Sequence, residues 1–558
     1  MKKFDMTAIS VKIIRELTAY RKEMTIHMIQ MKDPESVVRD VIGKITNPER
    51  AAFWGALSAG FMTHLYVFVN NFYNYNELVA AQEGIGVAAQ NNRWFLELMG
   101  RGASYFMGGS YSLPFWNGIL TLIFLILSAM IVVHAFQLKN TVFSFCIGAV
   151  TTAFPAVISI YSFMFTSVFD AMGLFFSILA ACLAIRHPGN ILMHAVSALL
   201  LTCSLGTDQA YFPNTVCLFF ITLILMCAFD ERETAGDILK TGIRYLSVLF
   251  VSLAGYFITN KICLKIWNIR TETGAVRGLD TMGSITPKEL FCGVRSCYES
   301  FFSLAWREEL FLNMRSIMQK GFHFIIFLLA ACILTFLVIR RKEVAKNCLM
   351  LVFLLLFPVA MFLVYIMAPK AISNPPPVYP VVFFFVLFLV WTERFVGLER
   401  VHIFFKNLVQ WAAAGVMCLL LFFYIWYGNG NYMAMEDTKY HNFAYLGTMA
   451  TQIKCLEGYS DTLPVAWIGN KTPDETTAAD LSDQMFSMHG KSGSNLIFPS
   501  DFLMITKYLG YDPEICDYET TQAFMETEEV REMPVYPADG SIRIVDDTII
   551  VKLSEYTE

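Results

Sequence analysis

Side chains able to do chemistry gather in three short stretches of an otherwise apolar chain. The first runs Asn74-Tyr-Asn76-Glu77-Leu78, passes Glu83 and reaches Asn92-Arg93-Trp94-Phe95. A carboxylate such as Glu77, held just past an apolar segment, is partly desolvated, and such carboxylates make good acceptors for a hydroxyl proton. Arg93 offers two parallel donors suited to phosphate or carboxylate. Trp94 offers a flat face for a sugar ring or for the lipid headgroup zone. The same residues also suit an aromatic, polar interfacial loop with no chemistry. The second stretch, Ser204-Leu-Gly-Thr-Asp208-Gln209-Ala-Tyr211-Phe-Pro213, either lines a cavity at the ends of two short helices or is a capped turn. The third, Arg277-Gly-Leu-Asp280-Thr-Met-Gly283, could hold a polar ligand between Arg277 and Asp280, or pair these two with each other.

The rest of the chain dictates what positions these residues. Of its 558 residues, 56 % are apolar and 16 % charged, with 49 Phe. That composition excludes a disordered chain, a collagen-like chain and an ordinary soluble enzyme. A membrane helix takes roughly 20 mostly apolar residues. Eleven segments qualify: 51–70, 115–136, 141–165, 170–185, 190–205, 213–228, 242–262, 321–339, 347–367, 378–391 and 407–427. The chain thus reads as a polytopic α-helical membrane protein of about eleven transmembrane helices. A basic segment at 1–50 precedes the membrane domain at 51–427, and a small α/β domain at 428–558 follows it.

Lys and Arg in short loops orient such a protein. The first 50 residues carry ten, and Lys139, Arg186, Arg340-Arg341-Lys342 and the loops at 230–240 and 394–406 share their side. The expected topology has a cytoplasmic N-terminus and the C-terminal domain outside. Residues 1–50 contain no signal-peptide h-region. Ile9, Ile13, Ile14 and Leu17 among basic residues suit an amphipathic helix on the inner leaflet or a plain topology anchor. All three chemistry-bearing stretches then face outward. Inside the spans, His64, His134 and His194 are the ionisable residues away from the edges, with Asp170 at a rim. Such histidines suit packing better than proton relay, and the scarcity of intramembrane charge argues against a coupled transporter.

Residues 428–558 carry 22 acidic against 8 basic residues, while the remaining chain is net basic by 9. Helical patterns occupy 436–456, 502–509 and 520–532, a strand is expected at 463–468, and a hairpin around Asp546-Asp547. The acidic run at 526–532 reads as a solvated face. No basic surface suited to nucleic acid is visible. Of 13 Cys, Cys455 and Cys516 fall in this domain, either bridged or, as in most bacterial chains, free.

Many spans, an outward carboxylate in the first loop and a soluble outer end resemble the GT-C glycosyltransferases. More narrowly, Asn74–Leu78, Asn92–Phe95, Ser204–Tyr211, Gly278–Gly283 and the stretch Met533-Pro-Val-Tyr-Pro-Ala-Asp-Gly540 resemble the bacterial and phage O-antigen glucosyltransferase family, Gtr type II. Asn76 stands where that pattern has an acid, and Asp208 where it has an aromatic residue. The resemblance implies a GT-C-like fold in the bacterial cytoplasmic membrane. It implies transfer of a sugar, glucose above others, from a polyprenyl-phosphate carrier to a cell-surface glycan on the outer face. Glu77 would be the base; Asn76, Arg93, Trp94, Asp208, Gln209, Tyr211, Arg277 and Asp280 would bind substrate. No cofactor is called for, because the donor is already activated and no nucleotide-sugar or metal-ligand signature is present; a divalent metal stays open. A lipid-linked glycan flippase or carrier and a glycan polymerase are the alternatives.

The topology has a direct check. A membrane-impermeant thiol reagent added outside should label Cys455 and Cys516, after reduction if they are bridged, and should miss a Cys placed at Arg341. Labelling of Cys455 and Cys516 only after lysis would reverse the orientation.

Overall fold

The computed structural model describes residues 33–70, 72, 87–107, 113–270, 286–306, 317–340, 343–367, 378–399, 401–469 and 510–555. Residues 1–47 and 48–558 form two separate bodies. In the first, helix α1 (Pro34–Lys44) starts at Asp33, whose carboxylate accepts from Ser36 N at 2.8 Å. The reading of residues 9–17 as an amphipathic helix lies outside the described residues.

The second body holds the apolar helices. In chain order they are α2 (Asn47–Val69), the single turn α3 (Val87–Gln90), α4 (Trp94–Met107), α5 (Pro114–Phe136), α6 (Thr141–Ala153), α7 (Ala156–Ser162), α8 (Ser167–Arg186) and α9 (Ile191–Thr207). There follow α10 (Phe212–Phe229), α11 (Ala235–Trp267), α12 (Pro287–Ser303), α13 (Ile317–Arg340), α14 (Val344–Met361), α15 (Val364–Met367), α16 (Val382–Val396) and α17 (Ile403–Lys454). All eleven apolar segments of the sequence fall on these helices. Among the described residues nine helices are long and apolar enough to cross a membrane. The segment at 141–165 is a broken pair, α6 and α7, bent by 44° at Phe154-Pro155, and α9 is apolar but shorter, at 17 residues. Pro155 explains the break, because its ring excludes the preceding turn's hydrogen bond. Multiple apolar helices of this kind make the chain a multi-pass membrane protein.

Apolar surface gains little by leaving lipid for protein, so close approach of small residues carries helix association. Helices α2 and α6 use it fully. A Cβ on Gly148 would overlap the backbone carbonyl of Ala52, and one on Gly55 would overlap that of Phe145. His64 lies in this contact, fully buried, between Thr152 O (2.8 Å) and the Tyr432 hydroxyl (2.6 Å), as a packing histidine would. His134 instead pairs with Glu49 at 2.6 Å, and a fourth histidine, His323, is buried against Tyr424 at 2.9 Å. Helix α16 is the central element, with 83 % of its apolar window buried, against 17 % for the peripheral α11. At its end Glu393 accepts from the backbone N–H groups of Lys139 (2.8 Å) and Asn140 (3.0 Å), closing the α5–α6 turn.

Helix α17 runs unbroken across the expected boundary at 427/428. Gly428 serves packing there, since a Cβ would collide with the Thr63 side chain on α2. The same helix carries Leu446, Met449, Ala450 and Ile453 into the core of the C-terminal domain. Among the described residues that domain has a three-stranded sheet in the order β1 (Val465–Ile468), β3 (Thr548–Lys552), β2 (Ile542–Val545). Strand β1 runs parallel to β3, with Val465 opposite Ile549; β2 is antiparallel to β3, with Ile542 opposite Val551. The hairpin turns at Asp546 and Asp547, both in the left-handed region (φ 45° and 56°), the pair of positive φ angles a two-residue hairpin needs. The acidic helix expected at 520–532 is two helices, α18 (Tyr518–Glu526) and α19 (Glu528–Arg531), separated by extended Thr527. The helix expected at 502–509 lies outside the described residues. Cys455 and Cys516 are both free.

The α2–α6 contact predicts an asymmetric response to added volume. Gly148→Val should cost about 3 kcal/mol, the upper end for overpacking, since backbone must move. Gly415→Val, whose Cβ meets open space, should be near neutral. Melting temperature in detergent would separate them; equal melting temperatures would refute the contact.

Candidate active site

The site is built where one backbone turn meets the ends of three helices. Residues Asn91 and Asn92 turn the chain between α3 and α4, and Asn92 takes a positive φ of 60°, which Asn tolerates better than most residues. The turn is heavily bonded. The Asn92 carbonyl accepts from Gln209 Nε2 at 3.2 Å and from the Tyr256 hydroxyl at 3.1 Å. Gln209 Nε2 also donates to the Tyr256 oxygen at 2.7 Å. The Asn92 side-chain oxygen accepts from Asn260 Nδ2 at 2.9 Å. Tyr256 and Asn260 are one helical turn apart on α11 and so share a face.

Arg93 follows directly and turns its guanidinium to Asp208, with Nη2 to Oδ2 at 2.6 Å. The two side chains are only 22 % and 14 % exposed. Burial works against the Arg93 charge, but Asp208 and then Asp170 more than offset it, so its pKa lies above the ordinary arginine value. Arg93 Nε is buried with no partner. Asp208 has a second duty: its other carboxylate oxygen accepts from Ala210 N at 2.9 Å and so caps the short 3-10 turn Gln209–Tyr211. That turn buries Gln209 and Tyr211 at the mouth of α10.

Asp170, in the first turn of α8, completes the charges. It is 9 % exposed, accepts from Thr166 Oγ1 at 2.8 Å, and is hydrogen-bonded by the Tyr211 hydroxyl. Arg93 thus pairs directly with Asp208, and Asp170 adds a second carboxyl group close by. Trp94 packs against α9, where a Cβ on Gly206 would come within 2.5 Å of its Nε1. One turn along α4, buried Glu97 pairs with Arg101 at 2.8 Å, and Arg101 covers the Trp267 ring at 4.9 Å.

Of the residues singled out from sequence, Arg93, Trp94, Asp208, Gln209 and Tyr211 come together here. Asn76, Glu77, Arg277 and Asp280, and with them Glu83, lie outside the described residues. Arg93 is engaged by Asp208, a carboxylate, which is one of the two kinds of partner its type suits. Sequence reading missed Asp170, Asn92, Tyr256 and Asn260 as members. A signal existed for two of them: Ser252, Tyr256 and Asn260 form a buried polar stripe at four-residue spacing on α11. Among the described residues no group of three or more metal-ligating side chains occurs. Chemically, the cluster offers carboxylate acceptors for hydroxyl groups, hydroxyl and amide donors, and one buried cation.

The family model described as Glucosyl transferase GtrII matches residues 65–391, more than half of the chain. The chain belongs to this family, and thereby to the glucosyltransferases; the match encloses the whole cluster around Arg93. No curated protein and no solved structure matches.

The strained, bonded turn at Asn92 gives a test of its own. Asn92→Gly loses the Asn260 bond but keeps the backbone geometry, whereas Asn92→Ala adds the left-handed penalty of about 1 kcal/mol. The alanine variant should melt lower in detergent than the glycine variant. The reverse order would contradict the positive φ.

Proposed function

We propose that this protein moves a glucosyl group from a polyprenyl-phosphate carrier to a cell-surface glycan at the outer face of the bacterial cytoplasmic membrane. The observation that supports this reading best is the Arg93–Asp208–Asp170–Tyr211 cluster, set at the ends of apolar helices within a glucosyltransferase family. A lipid-phosphate donor must enter from the bilayer, so its reacting carbon waits at that boundary. The acceptor, a glycan, is water-borne and arrives from the other side.

In the proposed step an acceptor hydroxyl oxygen attacks the anomeric carbon of the donor sugar. The bond from that carbon to the phosphate oxygen breaks, and polyprenyl phosphate leaves with the electron pair. Glu77 takes the hydroxyl proton. Arg277 is the candidate to meet the charge growing on the phosphate. Arg93 contributes its unpartnered Nε and, through Asp208, the placement of the turn that precedes Trp94. Asp170, Asp208, Gln209 and Tyr211 bind sugar hydroxyls, with Asn76 and Asp280 closing the site from the two adjoining segments. Because the donor already carries its activation, the step is written without a cofactor. The C-terminal domain, joined through α17, is assigned to the acceptor side.

Full-length protein in liposomes, supplied with polyprenyl-phosphoglucose and a glycan acceptor, tests this. Glu77→Gln should lower transfer about 100- to 10,000-fold, the usual cost of a lost general base, while leaving the melting temperature unchanged. Asp170→Asn should lower it at least about tenfold, the loss of one charged hydrogen bond to substrate, and Glu83→Gln should act far less. Full activity in Glu77→Gln would remove Glu77 from the role and pass it to Asp208.

A further inference from the structure

Toward the opposite end of α9 from Asp208 lies a concavity of about 450 Å³, between the first half of α9 and residues 244–251 of α11. His194 precedes Asp208 by 14 residues on the same helix, which sets the two about 21 Å apart along its axis. Ala195, Ala198, Val248 and Val251 make its walls apolar, and His194 and Arg244 are the ionisable groups that line it. Arg244 is exposed and has no carboxylate partner among the described residues; Nη1 donates only to Pro188 O, at 3.3 Å. His194 Nε2 is buried with no partner. The neighbouring cations are already used: Lys240 pairs with Asp237 at 3.1 Å, and Arg186 reaches the Gln137 side chain.

The groove is closed off from the candidate active site. Between them Thr202 Oγ1 donates to Ser252 O at 3.1 Å, and a Cβ on Gly255 would come within 2.8 Å of Thr202 Oγ1. That contact between α9 and α11 sets the groove apart from the Arg93 cluster, so a ligand of the groove would be distinct from one at the cluster. An apolar trough opening onto a lipid-facing helix, with one unpaired cation at the mouth, matches an acyl chain below an anionic headgroup. We infer that this groove binds one anionic phospholipid, its phosphate on Arg244 and His194 and an acyl chain along Ala195 and Val248. The inference is independent of the transfer reaction proposed above.

Native mass spectrometry of the full-length protein, titrated with phosphatidylglycerol or phosphatidylcholine, tests it. The first lipid adduct should favour phosphatidylglycerol by about fivefold, the effect of one cation at an anionic headgroup. Arg244→Gln should erase that preference. Ala195→Trp, which fills the trough and keeps the cation, should lower the first phosphatidylglycerol adduct by a similar factor. Equal binding of the two lipids by the unaltered protein, or an unchanged preference in Arg244→Gln, would overturn the assignment. Displacement of the lipid by millimolar glycerol 3-phosphate would show a site for soluble phosphate and would overturn it equally.

Discussion

A guanidinium taken out of water at the end of apolar helices must find a carboxylate, and the Arg93–Asp208 pair is where this chain meets that demand. The pair joins distant parts of the sequence. Arg93 ends the segment that follows the first span, and Asp208 sits between α9 and the 3-10 turn that opens α10. Once they meet, the rest of this end of the helices is constrained. The Asn92 carbonyl falls to Gln209 and Tyr256, Trp94 falls onto Gly206, and Asp208 can cap the turn that buries Tyr211 against Asp170. Removing one partner of such a pair costs about 3 kcal/mol, less where water still reaches it.

Below this polar layer the helices associate through surface shape. Gly55, Gly148 and Gly428 let α2 approach α6 and α17 closely, and α17 carries that packing without interruption into the C-terminal domain. Near the boundary the Tyr66 hydroxyl donates to Glu436, so the end of α2 is tied to the helix that bears the domain. The two ends of the α9–α11 pair have different characters. One end holds buried, paired charge. The other holds Arg244, which has no carboxylate partner among the described residues, at an apolar trough, with the Thr202–Ser252 contact between the two.

Much of this was legible in the sequence because membrane helices are defined by composition over some twenty residues, a robust local signal. The paired Asp546-Asp547 were equally readable, since few residue pairs accept two successive positive φ angles. The limits of reading appear in particular places. The expected domain boundary at 427/428 falls inside a helix, because tertiary packing of Gly428 against Thr63 overrides the low helix propensity of glycine. Asp170 in the first turn of α8 has the appearance of an ordinary helix-start acid, and only the fold puts it beside Arg93 and Tyr211. Arg93 and Asp208 were each visible as polar residues at a boundary. That they would be spent on one another depends on a contact 115 residues apart in sequence, which no local pattern encodes.

The account rests on Arg93 and Asp208 acting as one unit, and a double-mutant cycle measures that directly. Arg93→Gln, Asp208→Asn and the double variant would be compared by melting in detergent, converted to free energy. Each single change should destabilise, and the double change should be no worse than the harsher single one, giving a coupling of about 1.5 kcal/mol or more. Effects that add to within about 0.5 kcal/mol would mean the two residues are independent, and this end of the helices would need another organising contact.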